Sequence, residues 1–327
     1  MNMKQLNWAI LGAGGIANEL ATAAKRMGKP IYAVANRTHE TAVNFAEKYG
    51  ISKAYDHVED IFDDPNVDIL YLATPHNTHY GFIKKALQSG KHVLAEKSIT
   101  LNSTELEEVI TLAEQNNLVL AEAMTIWHMP LYKKLWQVIA SGELGKVKLI
   151  TVNFGSMKPY DMTNRFFNRN LAGGALLDIG VYALSIARGF MDEQPDQIKS
   201  FMTPAPTGVD EQATILLQNS LGQMATVALS LRSRQPKRAM ISCERGYIEI
   251  MAYPRSDKAL IVDGTNGTKT EICEGTTEDA LYYEMLDMEH AILTGDQSVM
   301  RLSLSRDVMS IMTALRSDWN LTYPEEE

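Results

Sequence analysis

The stretch Trp8-Ala9-Ile10-Leu11-Gly12-Ala13-Gly14-Gly15-Ile16-Ala17 places a glycine-rich turn between a short apolar run and a helix-compatible segment. Gly12 permits a tight turn, Gly14 lets backbone approach a pyrophosphate, and the small Ala17 lets helix and strand pack closely. Free N–H groups and the helix dipole favour anions at such a helix N-terminus. The pattern predicts a dinucleotide-binding turn formed by Gly12, Gly14, Gly15 and Ile16. A plain glycine turn is the alternative, because the motif alone is a weak signal.

Length and composition are those of an ordinary globular protein. The chain has 327 residues, of which 45% are hydrophobic and 22% charged, and this length favours two domains. The formal net charge of −9 disfavours nucleic acid or an anionic membrane as the main partner. Two cysteines outside any C-x-x-C pair are typical of a reduced cytosolic protein, and they exclude a disulfide scaffold or a four-cysteine zinc site.

Two further expectations concern targeting and metals. The N-terminal apolar run is too short for a signal peptide, and no apolar segment approaches the ~20 residues that span a bilayer. We therefore expect a cytoplasmic protein. The seven histidines and two cysteines show no ligand spacing, so no metal site is expected.

Strand-like runs alternate with helix-like segments through the first part of the chain. After the first strand, apolar runs cover residues 31–35, 67–73, 91–95 and 118–122. Helical patterns cover residues 16–27, 41–49, 82–89 and 105–115. This alternation predicts an α/β fold in which residues 1–122 form a doubly wound parallel sheet, the Rossmann type.

The pattern changes after residue 122. Alternating runs begin at 147–154 and continue from residue 198 to 273, and several are separated by tight turns, at 219–222 and 264–267. Helical patterns cover residues 131–140, 279–293 and 303–319. Hairpin-like spacing predicts an open, largely antiparallel sheet with one face covered by helices. Residues 123–327 are therefore expected to form a second, α/β domain.

The end of the second strand bears on cofactor choice. Asn36 and Arg37 stand where an NAD-specific site usually places a carboxylate for the ribose 2′-hydroxyl. A carboxylate there would repel a 2′-phosphate, whereas Arg37 could pair with one. We therefore favour NADP over NAD. A solvated arginine is the alternative.

Polar residues also follow the third and fourth apolar runs of this sheet. The carboxyl ends of parallel strands are where open α/β sheets bind ligands, whereas lysine is otherwise a solvated surface residue. We expect the residues at these two strand ends to face the cofactor: Thr74, Pro75, His76, Asn77, His79, Glu96 and Lys97.

One segment of the second half combines glycines with ionisable groups. It runs from Arg165 through Gly173 and Gly174 to Asp178 and Tyr182. If its later part is helical, Asp178 and Tyr182 are four residues apart and share a face. The structural alternative is a solvated or capping aspartate and a core tyrosine.

Five motifs in one order resemble a known family. They are G-A-G-G-I-A, T-P-H-N-T-H, G-K-H-V-L-A-E-K, S-G-E-L-G-K-V and A-G-G-A-L-L-D-I-G-V-Y. From Leu6 to roughly the last helix, the chain resembles the glucose–fructose oxidoreductase / inositol dehydrogenase / rhizopine-catabolism (Gfo/Idh/MocA) family. The tyrosine of the last motif is most similar to dihydrodiol dehydrogenases, NADP-dependent xylose dehydrogenases and glucose–fructose oxidoreductase.

The resemblance implies a Rossmann domain and a second domain whose open sheet often forms a dimer interface, with the active site between the domains. It implies a homodimer or higher homo-oligomer acting on a small-molecule substrate. It also implies that Lys97 and Tyr182 flank the reacting carbon–oxygen bond with Asp178 beside them. Arg165 is assigned to the cofactor.

Hydride transfer to or from carbon leaves charge on oxygen, so a proton must move as well. A phenol is a poor base at neutral pH, but a nearby ammonium favours its phenolate. We assign Tyr182 as acid/base, Lys97 as its support and Asp178 as an orienting group. Lys97 as the proton carrier is the alternative.

Two departures from the family pattern matter. Ser98 replaces the proline of E-K-P, whose preceding bond is commonly cis. Because a non-proline cis bond costs about 2.5–4 kcal/mol, we predict a trans bond before Ser98 and a slightly relocated Lys97. An arginine of many relatives is missing from residues 125–130, so substrate choice cannot be copied. Trp127 and His128 either line the pocket or are buried.

The leading hypothesis is an oxidoreductase that transfers a hydride between NADP, with NAD possible, and a sugar, polyol, cyclic diol or matching carbonyl compound. A second hypothesis is an NAD-dependent glycoside hydrolase that uses transient oxidation. A third is a cofactor sensor without catalysis.

Overall fold

The computed structural model describes residues 5–327, and these divide into two compact units. The first comprises residues as far as Met124 together with Glu278–Leu302, and the second comprises Thr125–Thr277 and Ser303–Glu327. The sequence had placed residues 278–302 in the second domain. They belong to the first unit because Met285 and Met288 pack in the same hydrophobic core as Trp8.

The first unit contains a six-stranded sheet in which every neighbouring pair is parallel. Its spatial order is β3-β2-β1-β4-β5-β6, which confirms the doubly wound Rossmann arrangement. The strands are β1 (Trp8–Leu11), β2 (Ala33–Ala35), β3 (Lys53–Ala54), β4 (Ile69–Leu72), β5 (His92–Glu96) and β6 (Leu120–Ala123). The helices of the N-terminal part are α1 (Gly15–Arg26), α2 (His39–Tyr49), α3 (Asp60–Asp63), α4 (His79–Gln88) and α5 (Ser103–Gln115).

The edge strand β3 is not among the strands named from the sequence, because it has only two residues. Buried Asp64 anchors it by accepting hydrogen bonds from Lys53 Nζ at 2.6 Å and Tyr55 OH at 2.7 Å. Tyr32 OH, 3.1 Å away, donates a third. Burial raises the pKa of Asp64, but these hydrogen bonds outweigh it and hold the pKa well below its usual range.

The second unit contains an eight-stranded sheet in the order β14-β13-β12-β11-β7-β10-β9-β8. All neighbouring pairs are antiparallel except β7 and β10, which confirms a largely antiparallel sheet. The strands are β7 (Val147–Gly155), β8 (Gln197–Pro204), β9 (Asp210–Gln218), β10 (Met224–Ser230), β11 (Gln235–Cys243), β12 (Gly246–Met251), β13 (Lys258–Asp263) and β14 (Lys269–Cys273). The remaining helices of the chain are α6 (Thr125–His128), α7 (Pro130–Ser141), α8 (Val181–Phe190), α9 (Ala280–Thr294, in the first unit) and α10 (Leu302–Asp318).

One face of the eight-stranded sheet is covered and the other is open. Along β7, Ile150, Val152 and Phe154 are buried, and α8 packs on this side. Leu149, directly before Ile150, is exposed on the opposite face. This alternation is typical of a sheet with one face on the core.

The segment Arg169–Phe190 corrects one expectation. It is long and apolar enough to cross a membrane by length and composition, although no segment of this kind was expected from the sequence. Most of it is buried inside the protein, which is the position of a core helix. Its high apolar content therefore reflects packing under the sheet.

Candidate functional site

The glycine-rich turn between β1 and α1 has the shape that a phosphate group requires. Gly12 has a φ of +102°, and a Cβ there would lie 2.5 Å from the carbonyl oxygen of Ala73, so only glycine fits. A Cβ on Gly14 or Gly15 would meet nothing within 4 Å. The N-terminus of α1 has neither a side-chain cap nor an acidic residue in its first turn, so its N–H groups remain available to an anion. The turn therefore fits a dinucleotide.

Asn36 and Arg37 follow β2 beside this turn. The amide oxygen of Asn36 accepts a hydrogen bond from Ala13 N at 3.2 Å, so Asn36 braces the glycine turn. Arg37 is exposed, and within residues 5–327 it makes no hydrogen bond or ion pair. Its guanidinium is therefore accessible to a phosphate.

The loop after β4 is tied to the end of β5. His76 Nε2 lies 3.0 Å from the carbonyl oxygen of Lys97, and Thr78 donates a 2.7 Å hydrogen bond to Thr74 Oγ1. Pro75 is exposed, and Asn77 is half-buried in the 3-10 turn between His76 and Thr78. The two strand ends thus form one connected surface.

His79 lies behind this surface rather than on it. It is completely buried, and its Nδ1 and Nε2 lie 3.0 Å and 2.8 Å from the carbonyl oxygens of Ser98 and Thr74. Burial lowers its pKa. We therefore assign His79 to positioning the loop, whereas the sequence suggested cofactor contact.

Lys97 is half-buried at the carboxyl end of β5. Glu96 before it is buried and accepts a hydrogen bond from Tyr71 OH. The peptide bond between Lys97 and Ser98 is cis, so the prediction of a trans bond is wrong. That prediction considered only the intrinsic preference of a non-proline peptide bond for the trans form.

In the second unit, the segment carrying Asp178 and Tyr182 is helical, with one irregularity. Residues Leu176–Gly180 form a π-helix, which continues directly into α8. Asp178 therefore stands on a widened turn, and Tyr182 follows on regular α-helix. Such π turns occur frequently at functional sites.

The side chains around this segment define its chemistry. Asp178 is buried, and its Oδ1 lies 3.4 Å from Arg165 Nη1, whose side chain is 57% exposed. The half-buried Tyr182 has its ring centroid 6.1 Å from that of Phe154. The structure thus joins Arg165 to the carboxylate, whereas the sequence assigned it to the cofactor, and that assignment stays a prediction.

Sequence reasoning missed Phe154, Tyr253 and Lys237. The rings of Phe154 and Tyr253 meet edge-on at 5.9 Å, and Lys237 Nζ lies 4.8 Å from the Phe154 centroid. Burial and Arg255 lower the pKa of Lys237, while Asp178 raises it. These residues come together because the end of β7 lies beside the start of β11, and the sequence did not reveal which strands pair.

Trp127 and His128 are both completely buried in the second unit. Trp127 Nε1 donates to Ser305 Oγ at 3.2 Å, and its ring packs on Trp136. Of the two alternatives left open by the sequence, the structure supports burial.

Comparison with known proteins covers most of the chain. The family described as "Oxidoreductase family, NAD-binding Rossmann fold" (GFO_IDH_MocA) matches residues 6–124, and the GFO/IDH/MocA C-terminal domain matches residues 132–249. The chain is 30% identical to trans-1,2-dihydrobenzene-1,2-diol dehydrogenase of Xenopus tropicalis, over 97% of this chain and 99% of that protein. It is 28% identical to the Mus musculus enzyme of the same name, over 98% of this chain and 99% of that protein.

Solved structures share the fold at lower identity. A levoglucosan dehydrogenase in complex with NADH and levoglucosan has a TM-score of 0.85 and 19% identity, covering 97% of this chain and 98% of that one. KijD10, a 3-ketoreductase from Actinomadura kijaniata in complex with NADP, has a TM-score of 0.81 and 20% identity, and the match covers 96% of this chain and 97% of that one. Both units of the chain therefore have counterparts in enzymes that bind a nicotinamide dinucleotide.

Proposed function

The chain belongs to the Gfo/Idh/MocA oxidoreductase family, and we propose that it transfers a hydride between NADP and a sugar, polyol or cyclic diol. It is an NAD(P)-dependent oxidoreductase, and its curated relatives are named as dehydrogenases of a cyclic diol. The observation that carries the proposed chemistry is the half-buried phenol of Tyr182 one helical turn after the buried carboxylate of Asp178.

Each proposed residue has one task. In the oxidation direction, the bound nicotinamide supplies the acceptor for the hydride that leaves the hydroxyl-bearing carbon. Tyr182 takes the hydroxyl proton as the carbon–oxygen double bond forms, and it returns that proton in the reverse direction. Asp178, held by Arg165, orients the substrate hydroxyl. Lys97 is proposed as a supporting group in this proton transfer on the strength of the family resemblance alone.

Cofactor preference rests on Arg37. Its exposed guanidinium stands at the end of β2, and Asn36 beside it carries no charge that would repel a 2′-phosphate. NADP is therefore the preferred cofactor and NAD the alternative.

A second copy of the chain is the proposed protein partner, and the cytoplasm the proposed compartment. The open face of the eight-stranded sheet exposes Leu149, Phe201, Leu216 and Met224. Apolar patches on an otherwise solvated sheet favour association, and the family resemblance, in which the open sheet often forms a dimer interface, supports the proposal.

The test is a panel of sugars, polyols and dihydrodiols assayed with NADP and with NAD by nicotinamide absorbance. A hydride-transfer enzyme changes that absorbance during turnover. A glycoside hydrolase with transient oxidation releases product without a net change, and a sensor binds the cofactor without turnover. Either of these two outcomes contradicts the proposal.

Tyr182→Phe tests the acid/base role. We expect kcat to fall by about 10²–10⁴, because proton transfer is lost while the ring still packs on Phe154. NADPH binding, followed by its fluorescence, should be unchanged. Tyr80→Phe is the matched control, since its hydroxyl hydrogen-bonds to Glu108 and Lys84 near the surface. An unchanged kcat in Tyr182→Phe would refute the assignment.

A further inference from the structure

The π-helix Leu176–Gly180, which leads directly into the segment carrying Tyr182, is held through both backbone groups of its first residue. Leu176 N donates a 2.6 Å hydrogen bond to Oδ2 of Asp210, at the start of β9. The carbonyl oxygen of Leu176 accepts a hydrogen bond from Val181 N. Leu176 therefore connects a carboxylate of the sheet to the residue directly before Tyr182.

The carboxylate of Asp210 is enclosed by the segment that it holds. Asp210 is completely buried, and a Cβ on Gly174 would overlap its Oδ1. The same Cβ would lie 3.5 Å from the hydroxyl oxygen of Tyr323. Gly174 also has a φ of +126°, which residues with a side chain rarely adopt. Glycine is therefore required between this carboxylate and the start of the π-helix.

A second buried hydrogen bond lies just before the π-helix. Tyr323 is completely buried, and its hydroxyl donates to the carbonyl oxygen of Gly173 at 2.7 Å. Its ring lies against Arg316 of α10, whose guanidinium carbon is 4.4 Å from the ring centroid. Arg169 Nε donates to the carbonyl oxygen of Thr322 at 2.9 Å. The segment after α10 thus holds the chain before the π-helix at two points.

The other end of the π-helix is held by packing. A Cβ on Gly180 would lie 2.8 Å from Cδ1 of Leu229, in β10, and 3.1 Å from Cδ1 of Leu176. Because protein interiors are close-packed, a larger residue at this position would displace the helix from the sheet. The π-helix is therefore fixed at its first residue by a hydrogen bond and at its last residue by contact with β10.

We propose that Asp210 is a positioning residue for the proton transfer of Tyr182, and that Tyr323 supports it in this task. The inference rests on the proposed function, in which Tyr182 is the acid/base. The acceptor of the first N–H determines where the helix starts, and a shift of one residue turns each later side chain by roughly 100°. Misplacing a reacting group by about 1 Å can lower the rate about 100-fold.

A purely structural role is the alternative, and it has a different consequence. Loss of a buried hydrogen bond would then lower the free energy of unfolding, while every folded molecule would turn over at the wild-type rate. A positioning role instead lowers the kcat of the folded enzyme. It leaves NADPH affinity unchanged, because the glycine turn that fits the dinucleotide lies in the first unit.

The experiment uses variants of the full chain with NADP and the compound of the substrate panel that turns over fastest. Asp210→Ala removes the acceptor of Leu176 N, whereas Asp210→Asn keeps a side-chain oxygen there. Tyr323→Phe keeps the ring and removes the hydroxyl. Tyr32→Phe is the matched control, since its hydroxyl also donates to a buried aspartate, Asp64, but in the first unit. Urea unfolding confirms that each variant is folded under the assay conditions.

We expect Asp210→Ala to lower kcat by about 10- to 100-fold and Tyr323→Phe to lower it by about 3- to 10-fold, because the phenol of Tyr182 is displaced. Asp210→Asn should retain most of the wild-type kcat. The Kd of NADPH, from its fluorescence, should change less than about twofold in all variants. Tyr32→Phe should lose stability and keep its kcat.

Two further measurements identify the route of the effect. If Asp210 acts through Tyr182, Asp210→Ala should lower the kcat of Tyr182→Phe much less than it lowers that of the wild type. Hydrogen exchange of the amides of residues 176–182 follows the same segment without any substrate. This exchange should be faster in Asp210→Ala and Tyr323→Phe than in the wild type, and unchanged in Tyr32→Phe.

Three results would overturn the inference. The first is a wild-type kcat in folded Asp210→Ala or, if that variant does not fold, in Tyr323→Phe. The second is an equal loss of kcat from Asp210→Ala in the wild type and in Tyr182→Phe. The third is unchanged exchange of residues 176–182. Failure of the proposed function looks different, because Tyr182→Phe alone would then leave turnover unchanged.

Discussion

At the scale of single residues, Arg37 sets the proposed cofactor preference through one exposed guanidinium. Replacing it with glutamine keeps a polar side chain and removes the charge. We expect KM for NADP to rise by about 10- to 100-fold, because a charge-assisted hydrogen bond to the 2′-phosphate is lost. KM for NAD, which lacks that phosphate, should stay within twofold. Initial rates at varied cofactor concentration measure both, and an unchanged NADP preference would refute the role.

Asp210 is a second residue with a definite electrostatic consequence. It is completely buried, and its Oδ2 accepts a 2.6 Å hydrogen bond from Leu176 N, at the start of the π-helix that carries Asp178. Burial raises its pKa to about 7, although hydrogen bonds and Arg316 act in the opposite direction. Tyr323 OH, nearby in the same unit, donates to Gly173 O at 2.7 Å. Asp210 therefore holds the turn that precedes the proposed catalytic segment.

The raised pKa of Asp210 predicts a loss of stability with rising pH. The folded state binds this proton more tightly than the unfolded state does, so the contribution is present at acidic pH and is lost as pH rises through about 7. Each pKa unit corresponds to ~1.4 kcal/mol. Asp210→Asn cannot ionise, and its free energy of unfolding, measured in urea at pH 5.5 and pH 8.5, should lack this fall.

The control for Asp210 is an aspartate whose pKa is shifted in the opposite direction. Asp161 accepts hydrogen bonds from Thr163, which lower its pKa, so its contribution is lost only in acid. The free energy of unfolding of Asp161→Asn should therefore differ between pH 5.5 and pH 8.5 by as much as that of the wild type. If Asp210→Asn also showed the wild-type difference in the free energy of unfolding between the two pH values, the buried carboxyl of Asp210 would not be the source of that difference.

At the scale of elements, the glycines of the turn between β1 and α1 have different roles: Gly12 is required for folding, and Gly14 is proposed to be required for cofactor binding. Gly14→Ala adds a Cβ that meets no protein atom within 4 Å, so the free energy of unfolding should be nearly unchanged. The same methyl stands where the pyrophosphate approaches, and NADPH affinity should fall by about tenfold or more. Fluorescence titration measures the affinity and urea unfolding the stability.

Two other glycines provide the comparison variants for that prediction. Gly12→Ala should prevent or severely weaken folding, because its Cβ would lie 2.5 Å from Ala73 O at a φ of +102°. Gly81→Ala, in the open surface of α4, should leave both stability and NADPH binding intact or raise stability slightly. Equal NADPH affinity in Gly14→Ala and Gly81→Ala would contradict the assignment of the turn.

The same scale shows which parts of the fold the sequence determines. The Rossmann sheet was predictable because each strand is a local apolar run followed by a helical pattern. Strand β3 was missed because its two residues depend on Asp64, and the cis bond at Lys97 was missed because the prediction used only the intrinsic preference of a non-proline peptide bond. Lys97 could be proposed from its position at a strand end, and that role stays a prediction, whereas the position of Lys237 near Phe154 depended on the pairing of β7 with β11.

At the scale of the whole molecule, residues distant in sequence share a unit. Helix α9 packs with the first unit although it follows the entire second sheet, and Trp8 Nε1 donates to its Glu289 at 2.7 Å. Nothing local in residues 278–302 indicates this, since an amphipathic helix pairs with any apolar surface of matching shape. Domain membership therefore depended on packing rather than on order along the chain.

The open face of the second sheet provides the last prediction, the association of two copies. Phe201 is 86% exposed beside Thr214, and Leu216 and Met224 continue the same face through the pairing of β9 and β10. Phe201→Glu places a charge that an interface must desolvate without a partner, so the variant should sediment as a monomer where the wild type sediments as a dimer. Leu293→Glu, at an exposed apolar residue of the first unit, should remain dimeric. A monomeric wild type, or a dimeric Phe201→Glu, would exclude this face as the interface.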